Sequence, residues 1–320
     1  MKWGILGVNW IADYLATSMR RIPGVEIVAA ASRTASKTAE FAKRHGVPRQ
    51  YSSCGELAQD PDVEAVYIST PHSFHFEHSM ICLKAGKHVL CEKPFTVTRA
   101  KGEELFNEAE RRGLFIMEAM WTRYLPSVAK MREAVTMGAI GQVMSIDLCS
   151  GGGIGEQDPA GRMLNPALAG GATLDIGCYA LTVAQILAGR HESLCSRVII
   201  GETGVDVRAA TCVKYESGAL ATIITAFDAN VEFKHVNRVC GTSGVLTFDG
   251  LWSPTSFTLQ RHGDENERGF IFRNDMRAYE YELEAFEDCV RKGLKEPENG
   301  KREDTLEILG MMEEILGKQA

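Results

Sequence analysis

Residues 4–12 read Gly4-Ile5-Leu6-Gly7-Val8-Asn9-Trp10-Ile11-Ala12, between an apolar run that starts at Lys2 and a helical pattern that starts at Ile11. A strand, a tight glycine turn and a helix together aim backbone N–H groups and a helix N-terminus at a pyrophosphate. Against the pattern Gly-x-Gly-x-x-Ala, Gly7 and Ala12 match, and the middle glycine is Asn9. Asn tolerates left-handed backbone better than most residues, and its side chain either crowds a phosphate or hydrogen-bonds to it. Glycine in such a turn also serves packing alone. The strand before it and the helix after it favour a dinucleotide.

Working outward, short apolar runs at Lys2–Gly7, Val25–Ser32, Val63–Ser69, His88–Cys91 and Leu114–Glu118 read as strands. Helical patterns at Ile11–Arg21, Ala35–His45, Phe74–Ala85 and Arg99–Arg112 separate them. That alternation predicts right-handed βαβ units and a doubly wound parallel sheet. After Met120 the pattern changes. Leu125–Met137 and Thr173–Leu187 read as helices. Strand-like runs follow at Leu194–Gly201, Val207–Tyr215, Ala219–Ala226, Phe233–Cys240, Val245–Phe248 and Ser256–Leu259, with turn signals between them. Consecutive strands joined by short turns predict a mostly antiparallel sheet. Helices over Ala278–Lys292 and Glu303–Leu316 close the chain. The expected fold class is α/β, with an N-terminal nucleotide-binding domain over 1–120 and an α+β domain over 121–320 that carries a large open sheet.

Composition sets the outer limits. A chain of 320 residues exceeds one typical core and suggests two domains. Apolar residues at 45% and charged residues at 24% are ordinary for a globular protein. No run is read as long enough for a membrane helix, and the start lacks the apolar stretch of a signal peptide. The nine cysteines, at 54, 82, 91, 149, 178, 195, 212, 240 and 289, form no Cys-x-x-Cys pair. Reduced thiols in a cytoplasmic protein explain them better than disulfides or zinc. A net charge of −7 argues against nucleic acid and anionic membranes as partners.

The end of the second strand indicates which dinucleotide. An NAD site usually places Asp or Glu there to hold the ribose 2′-hydroxyl. This chain has Ala31-Ser32-Arg33-Thr34, with Lys37 one turn on. A cation among hydroxyls suits a 2′-phosphate, so NADP is expected, with NAD as the alternative. A solvated Arg at a strand end is the plainer account. Thr70-Pro71-His72 follows a further strand at an edge where ligands bind. His72, His75 and His78 recur every third residue but drift around a helix with no carboxylate to complete a set, so no metal is expected. The candidate cofactor residues are Gly7, Asn9, Trp10, Ile11, Ser32, Arg33, Thr34, Lys37, Thr70, Pro71, His72, His75, Glu92 and Lys93.

Two segments suggest chemistry. Cys91-Glu92-Lys93-Pro94 ends a strand, so Lys93 points towards the carboxyl-edge crevice unless it merely pairs with a carboxylate. Pro94 permits a cis bond there. Gly170-Gly171-Ala172-Thr173-Leu174-Asp175-Ile176-Gly177-Cys178-Tyr179 places Asp175 and Tyr179 on one face if it is helical. Gly177 inside a helix costs about 1 kcal/mol against Ala, so a close neighbour is expected there. Spacing alone leaves open whether Tyr179 is reactive or simply a core aromatic.

Glu92-Lys93-Pro94, the spacing of Asp175 and Tyr179 and the two-domain layout resemble the glucose–fructose oxidoreductase/inositol dehydrogenase family. Within it they are most similar to the branch of dimeric dihydrodiol dehydrogenases and NADP-dependent D-xylose 1-dehydrogenases. Residues 85–94, 113–126, 165–179 and 201–206 carry the likeness. It implies a Rossmann domain with Lys93 and Tyr179 as the catalytic pair and Asp175 beside the substrate. Tyr179, where many members have His, belongs with this branch. Trp121, Arg123 and Tyr124 start the second domain and suit a sugar or diol ring, although Trp121 and Tyr124 are equally suited to domain packing. By family analogy Arg162 is a further donor. Relatives carry bulkier residues where this chain has Ser150-Gly151-Gly152-Gly153-Ile154-Gly155, which implies a wider substrate side.

The implied reaction moves a hydride between nicotinamide and a hydroxyl or carbonyl carbon of a sugar, polyol or cyclic trans-diol. Tyr179 takes or returns the proton. A free phenol titrates near 10, and an ammonium about 4 Å away at an effective dielectric of about 20 favours phenolate by about 4 kcal/mol. That is at most about three pK units, opposed by desolvation. The alternatives are a dehydrogenase of a ring secondary hydroxyl in a glycoside and a non-catalytic cofactor-binding regulator, which would not need both Lys93 and Tyr179. The open sheet face is expected to form a homodimer.

Overall fold

The alternating apolar and amphipathic runs of the first third fold as their periods dictate. In the computed structural model, which describes residues 1–151, 158–232, 234–272 and 278–317, they give β1 (Lys2–Leu6), α1 (Trp10–Met19), β2 (Glu26–Ala31), α2 (Ala35–His45), β3 (Arg49–Tyr51), α3 (Cys54–Gln59), β4 (Ala65–Ile68), α4 (His75–Lys84), β5 (His88–Glu92), α5 (Arg99–Arg112) and β6 (Ile116–Ala119). All six strands are parallel, in the order β3-β2-β1-β4-β5-β6. The order reverses between β1 and β4, which places the Gly7 turn and Ser69–Thr70 side by side at the switch point where such sheets bind ligands. Strands β4 and β6 are buried throughout, as expected of a parallel sheet covered on both faces.

The second half contributes α6 (Pro126–Thr136), β7 (Val143–Ser150), a π-helical turn over Thr173–Gly177 that runs into α7 (Cys178–Ala188), then β8 (His191–Ile200), β9 (Asp206–Tyr215), β10 (Leu220–Ala226), β11 (Asn237–Gly241), β12 (Gly244–Phe248), β13 (Ser256–Arg261), β14 (Arg268–Ile271), α8 (Ala278–Lys292) and α9 (Arg302–Gly317). The eight-stranded sheet runs β14-β13-β12-β11-β7-β10-β9-β8. Every pairing in it is antiparallel except β7 with β10. The fold class is thus the expected one. Period-2 alternation is clearest in β9, where Ala209, Thr211, Val213 and Tyr215 are buried and the residues between them face outward.

Helix α7 is almost wholly buried against the sheet. The stretch Pro166–Ala188 reaches a mean hydropathy of 1.3 over its most apolar eighteen residues, and 78% of that span lies inside the fold. A run of membrane-like length therefore exists, contrary to the expectation from sequence, and its apolar surface serves the core. Burial of Leu181, Val183 and Leu187 contributes about 1.5–3 kcal/mol each.

The chain divides into two compact units. Residues 1–121 and 278–306 form one, and residues 122–272 and 307–317 the other. The expectation from sequence places everything after 120 in the second domain. Helix α8 instead completes the first unit's core. Phe286 packs on Trp3 with ring centres 4.9 Å apart and on Phe115 at 5.1 Å, and the Trp3 indole donates to Glu287.

Candidate active site

In the first unit the candidate cofactor residues gather at the carboxyl edge of the parallel sheet. Gly7 has φ +93°, and a Cβ there would sit 2.9 Å from the Ser69 carbonyl carbon and 3.0 Å from Thr70 N, so only glycine fits. Asn9 does not use the left-handed region that its residue type tolerates. Its backbone is extended, at φ −137°. Its Oδ1 accepts from Ala12 N at 3.0 Å, which caps α1, and its Nδ2 donates to the Ser69 carbonyl at 2.6 Å. At this position Asn supplies a helix cap that the pattern's second glycine could not. Trp10 is 59% exposed and packs edge-on to Tyr14 beside Ile11.

At the end of β2, the Ser32 hydroxyl lies 2.7 Å from Thr38 Oγ1 and accepts from Thr34 N. Arg33 lies over the Phe74 ring at 5.4 Å, and Phe74 stacks on His78. Lys37 is exposed on the first turn of α2. Residues 31–37 include no carboxylate. This donor set of two cations and two hydroxyls beside a helix N-terminus fits a dinucleotide carrying a 2′-phosphate.

Thr70, Pro71 and His72 lead into α4. The Thr70 hydroxyl is 3.0 Å from His78 Nδ1, while His72 is buried edge-on to His75. The His75 ring is fully buried, with Nε2 2.7 Å from the Thr70 carbonyl oxygen and Nδ1 2.8 Å from that of Pro94. Burial pushes its pKa down to about 4 against the pull of both carbonyls. A neutral imidazole carries one N–H, so it donates to one of them and crowds the other. His75 thereby ties the Thr70 loop to the loop after β5.

The Lys93–Pro94 peptide is cis. Glu92 turns inward: its carboxylate accepts from Tyr67 Oη at 2.6 Å and from Lys93 N at 3.2 Å. Lys93 itself is half-buried. Sequence reasoning missed Glu282, which α8 brings into the same core. It is fully buried with no hydrogen-bond partner on either oxygen among the described residues, and burial plus neighbouring Glu92 and Glu118 pushes its carboxyl well above the ordinary range. Its position in a returning helix gave no signal in the sequence. Trp121 stacks on Tyr279 at 4.8 Å, a second partner from the returning segment.

In the second unit Asp175 and Tyr179 do come from one helical segment. The segment starts as a π turn, with Cys178 N–H donating to the Thr173 carbonyl five residues back. Such turns recur at functional sites. Asp175 is buried, and Arg162 donates to it at 2.9 Å, so two of the expected substrate residues form an ion pair. The Tyr179 ring is buried and lies 6.2 Å from Trp252, a residue missed because it sits on a loop without periodicity. Gly177 has no crowding neighbour. A methyl placed on it would have Thr225 Cγ2 as its nearest atom, at 3.4 Å, so the close approach expected there is not found.

What fixes this segment is Asp206. A single oxygen, Oδ2, accepts from both Thr173 N and Thr173 Oγ1 at 2.7 Å, inside the core. Gly171 makes room for it: at φ +123°, a Cβ would fall 2.1 Å from Asp206 Oδ1. Arg123 is buried and donates to Gln185, which donates to Glu307. Its guanidinium is committed to the interior of the second unit. Tyr124 is half-buried on the same turn. Ser150 donates to the Ile176 carbonyl, and Gly151 N donates to Glu232. The remaining glycine-rich residues, 152–155, lie outside the described residues.

Residues 1–120 match the family model described as an oxidoreductase family with an NAD-binding Rossmann fold, and residues 128–247 match the C-terminal domain model of the same GFO/IDH/MocA group. A trans-1,2-dihydrobenzene-1,2-diol dehydrogenase from Bos taurus is 36% identical, covering 92% of this chain and 90% of its own length. The chain belongs to this family. It is an oxidoreductase with a nicotinamide-dinucleotide domain, as the resemblance implied. Among solved structures, the aldose-aldose oxidoreductase of Caulobacter crescentus, complexed with glycerol, superposes with a TM-score of 0.87 at 26% identity, covering 99% of this chain and 96% of that one. A 3-ketoreductase of Actinomadura kijaniata, in complex with TDP-benzene and NADP, gives 0.85 at 25% identity over the same shares.

Proposed function

We propose that the protein is an NADP-dependent dehydrogenase of a hydroxyl on a sugar, polyol or cyclic diol. The observation that carries this reading is the Asp175–Arg162 ion pair at a π turn that runs into the helix bearing Tyr179, in a chain 36% identical to a dihydrodiol dehydrogenase. Gly7, the N-terminus of α1 and the Arg33–Lys37 cation set hold the dinucleotide, whose nicotinamide supplies or accepts the hydride when bound. Tyr179 takes the hydroxyl proton during oxidation and returns it in reduction. Lys93, at the end of β5, is the candidate second member of the catalytic pair. Asp175, oriented by Arg162, accepts from a neighbouring substrate hydroxyl. Trp121, with its face on Tyr279, offers an aromatic surface to the ring.

The test is a panel of pyranoses, glycosides and cyclic diols, followed by absorbance of reduced cofactor with NADP and NAD separately. Lys93→Met and Tyr179→Phe are each expected to lower kcat by about a hundredfold or more. Turnover that survives both substitutions refutes the assignment. Turnover with glycosides alone as substrates would move the reading to a ring secondary hydroxyl.

The same reading includes a homodimer through the open face of the eight-stranded sheet, where Met144 and Leu220 are about half exposed. A monomer in light scattering at micromolar concentration refutes it. It also places the protein in the cytoplasm, where buried thiols such as Cys54 and Cys91 stay reduced.

A further inference from the structure

We propose that Glu282 is a positioning residue of the Lys93 loop: it is the proton-bearing carboxyl of a buried trio whose other two members, Glu92 and Glu118, hold that loop. This role rests on the reading of Lys93 as a catalytic residue. Glu282 lies on α8, Glu92 ends β5 and Glu118 lies on β6, all in the first unit. All three are buried, and Glu282 is wholly inaccessible. Glu92 accepts from Tyr67 Oη at 2.6 Å and from Lys93 N at 3.2 Å. Glu118 accepts from Phe95 N at 3.1 Å and from Thr305 Oγ1 at 3.0 Å. Lys93 N and Phe95 N stand on either side of Pro94, so two carboxylates on neighbouring strands fasten one short loop. His75 Nδ1, 2.8 Å from the Pro94 carbonyl oxygen, adds a third tie.

Charge divides the work among the three. Carboxyl groups that share a desolvated cluster cannot all ionise, and bonds from N–H and O–H donors favour the ionised form. Glu92 and Glu118 have such donors and take the charges. Glu282 has none on either oxygen among the described residues. Burial, then the charges of Glu92 and Glu118, hold its carboxyl well above the ordinary range. It therefore keeps its proton where ordinary carboxyls have lost theirs. The other titratable groups that face the cluster are Tyr67 on β4, Cys91 on β5 and Tyr279 on α8, with Lys93 and the neutral His75 on the loop side. Burial pushes the Tyr67 phenol and the Cys91 thiol up, so neither brings a negative charge near neutral pH.

Ionised Glu282 adds a third negative charge behind Glu92 and Glu118 and loosens the two bonds that fix residues 93–95. Glu282 thus acts through its neighbours, without touching substrate. The sign for stability follows. The unfolded chain releases this proton near pH 4.3, at about the free glutamate value, and the folded chain holds it. The parent therefore loses stability as pH rises from there until Glu282 ionises in the folded state.

The experiment compares the full-length parent with Glu282→Gln and Glu282→Leu, both uncharged at every pH. Thermal melts need no substrate. Between pH 5.5 and 7.5 both variants are expected to gain on the parent by about 5 °C or more. Hydrogen exchange of the peptides carrying the Lys93 and Phe95 amides is expected to show protection that falls on the alkaline side in the parent and persists in Glu282→Gln. The kcat profile is expected to fall over the same alkaline range in the parent, with KM unchanged, and to stay level in Glu282→Gln. A constant offset in melting temperature at every pH, or equal protection of the two amides in parent and Glu282→Gln throughout, overturns the proposal. Melts and exchange as expected, together with turnover insensitive to Lys93→Met, would support the hold of Glu282 on the loop and refute the catalytic reading of Lys93 instead.

Discussion

Replacing Asp206 by Ala tests how the candidate catalytic helix is held. The substitution strands two donors, Thr173 N and Thr173 Oγ1, each 2.7 Å from Asp206 Oδ2 in a core where both residues are almost inaccessible. A buried hydrogen bond to a charged acceptor contributes about 1.5–3 kcal/mol, and loss of a helix cap costs about 1 kcal/mol. Against this, Asp206 pays for its own burial, which raises its pKa. The net loss is about 3 kcal/mol, or a fall in the second unit's melting temperature of about 6–12 °C at about 2–4 °C per kcal/mol. Because one oxygen takes both donors, Asp206→Asn retains both bonds and loses about 1 kcal/mol or less. Thr173→Val keeps the N–H bond and falls between the two. Scanning calorimetry of the three variants gives the order, and initial rates give the effect on kcat, which falls in Asp206→Ala as Asp175 and Tyr179 lose their fixed start. An Asp206→Ala variant that melts with the parent, or an Asn variant as damaged as the Ala variant, refutes the reasoning.

Gly7→Ala forces a left-handed backbone on an L residue, about 1–2 kcal/mol, and drives a methyl into the Ser69–Thr70 backbone, so a total loss of about 2–4 kcal/mol is expected together with weaker NADPH binding in a fluorescence titration. Unchanged affinity would show that the turn does not face the cofactor. Arg33→Ser is expected to lower kcat/KM with NADP by about ten- to a hundredfold and leave NAD nearly unaffected. Equal losses with both cofactors would remove Arg33 from the 2′-phosphate. His75 adds an acid-sensitive term. Its folded pKa is about 4 against 6.5 for a free imidazole, so as pH falls from 6.5 to 4 the unfolded state takes the proton first. Stability is lost across that window, by up to about 3 kcal/mol at 1.36 kcal/mol per unit. Melts at pH 7 and 4.5 should show a smaller drop for His75→Gln than for the parent. An identical drop would mean that other groups carry the effect.

The sequence was most legible where period and punctuation agreed. Helices Ala35–His45 and Arg99–Arg112 were read to the residue because apolar spacing ends at a capping glycine, Gly46 and Gly113. Strand β7 was missed although it lies in the middle of the second sheet. Val143 pairs with Gly241 and Ser145 with Cys240, so Met144 is an extra residue that breaks the alternation by which strands are recognised. Short elements such as β3 and α3 carry too few residues to show a period. At the candidate site, local spacing singles out Lys93, Asp175 and Tyr179, and the family resemblance supplies their expected roles. Asp206, Trp252, Tyr279 and Glu282 were not singled out, because each reaches its partner from a distant part of the chain. Arg123 shows the converse: its local sequence suggests a pocket edge, whereas its guanidinium donates to Gln185, a partner that lies far along the chain.

The return of α8 to the first unit bears on the order in which a nascent chain folds. Trp3, Phe115 and Glu118 emerge early, yet their partners Phe286, Glu287 and Thr305 are made last. The nucleotide-binding sheet must therefore wait, with an uncovered aromatic flank, while the ribosome completes the whole intervening antiparallel sheet. A truncated product ending before residue 278 would keep that flank open to solvent, an invitation to chaperones and to aggregation rather than a smaller working domain.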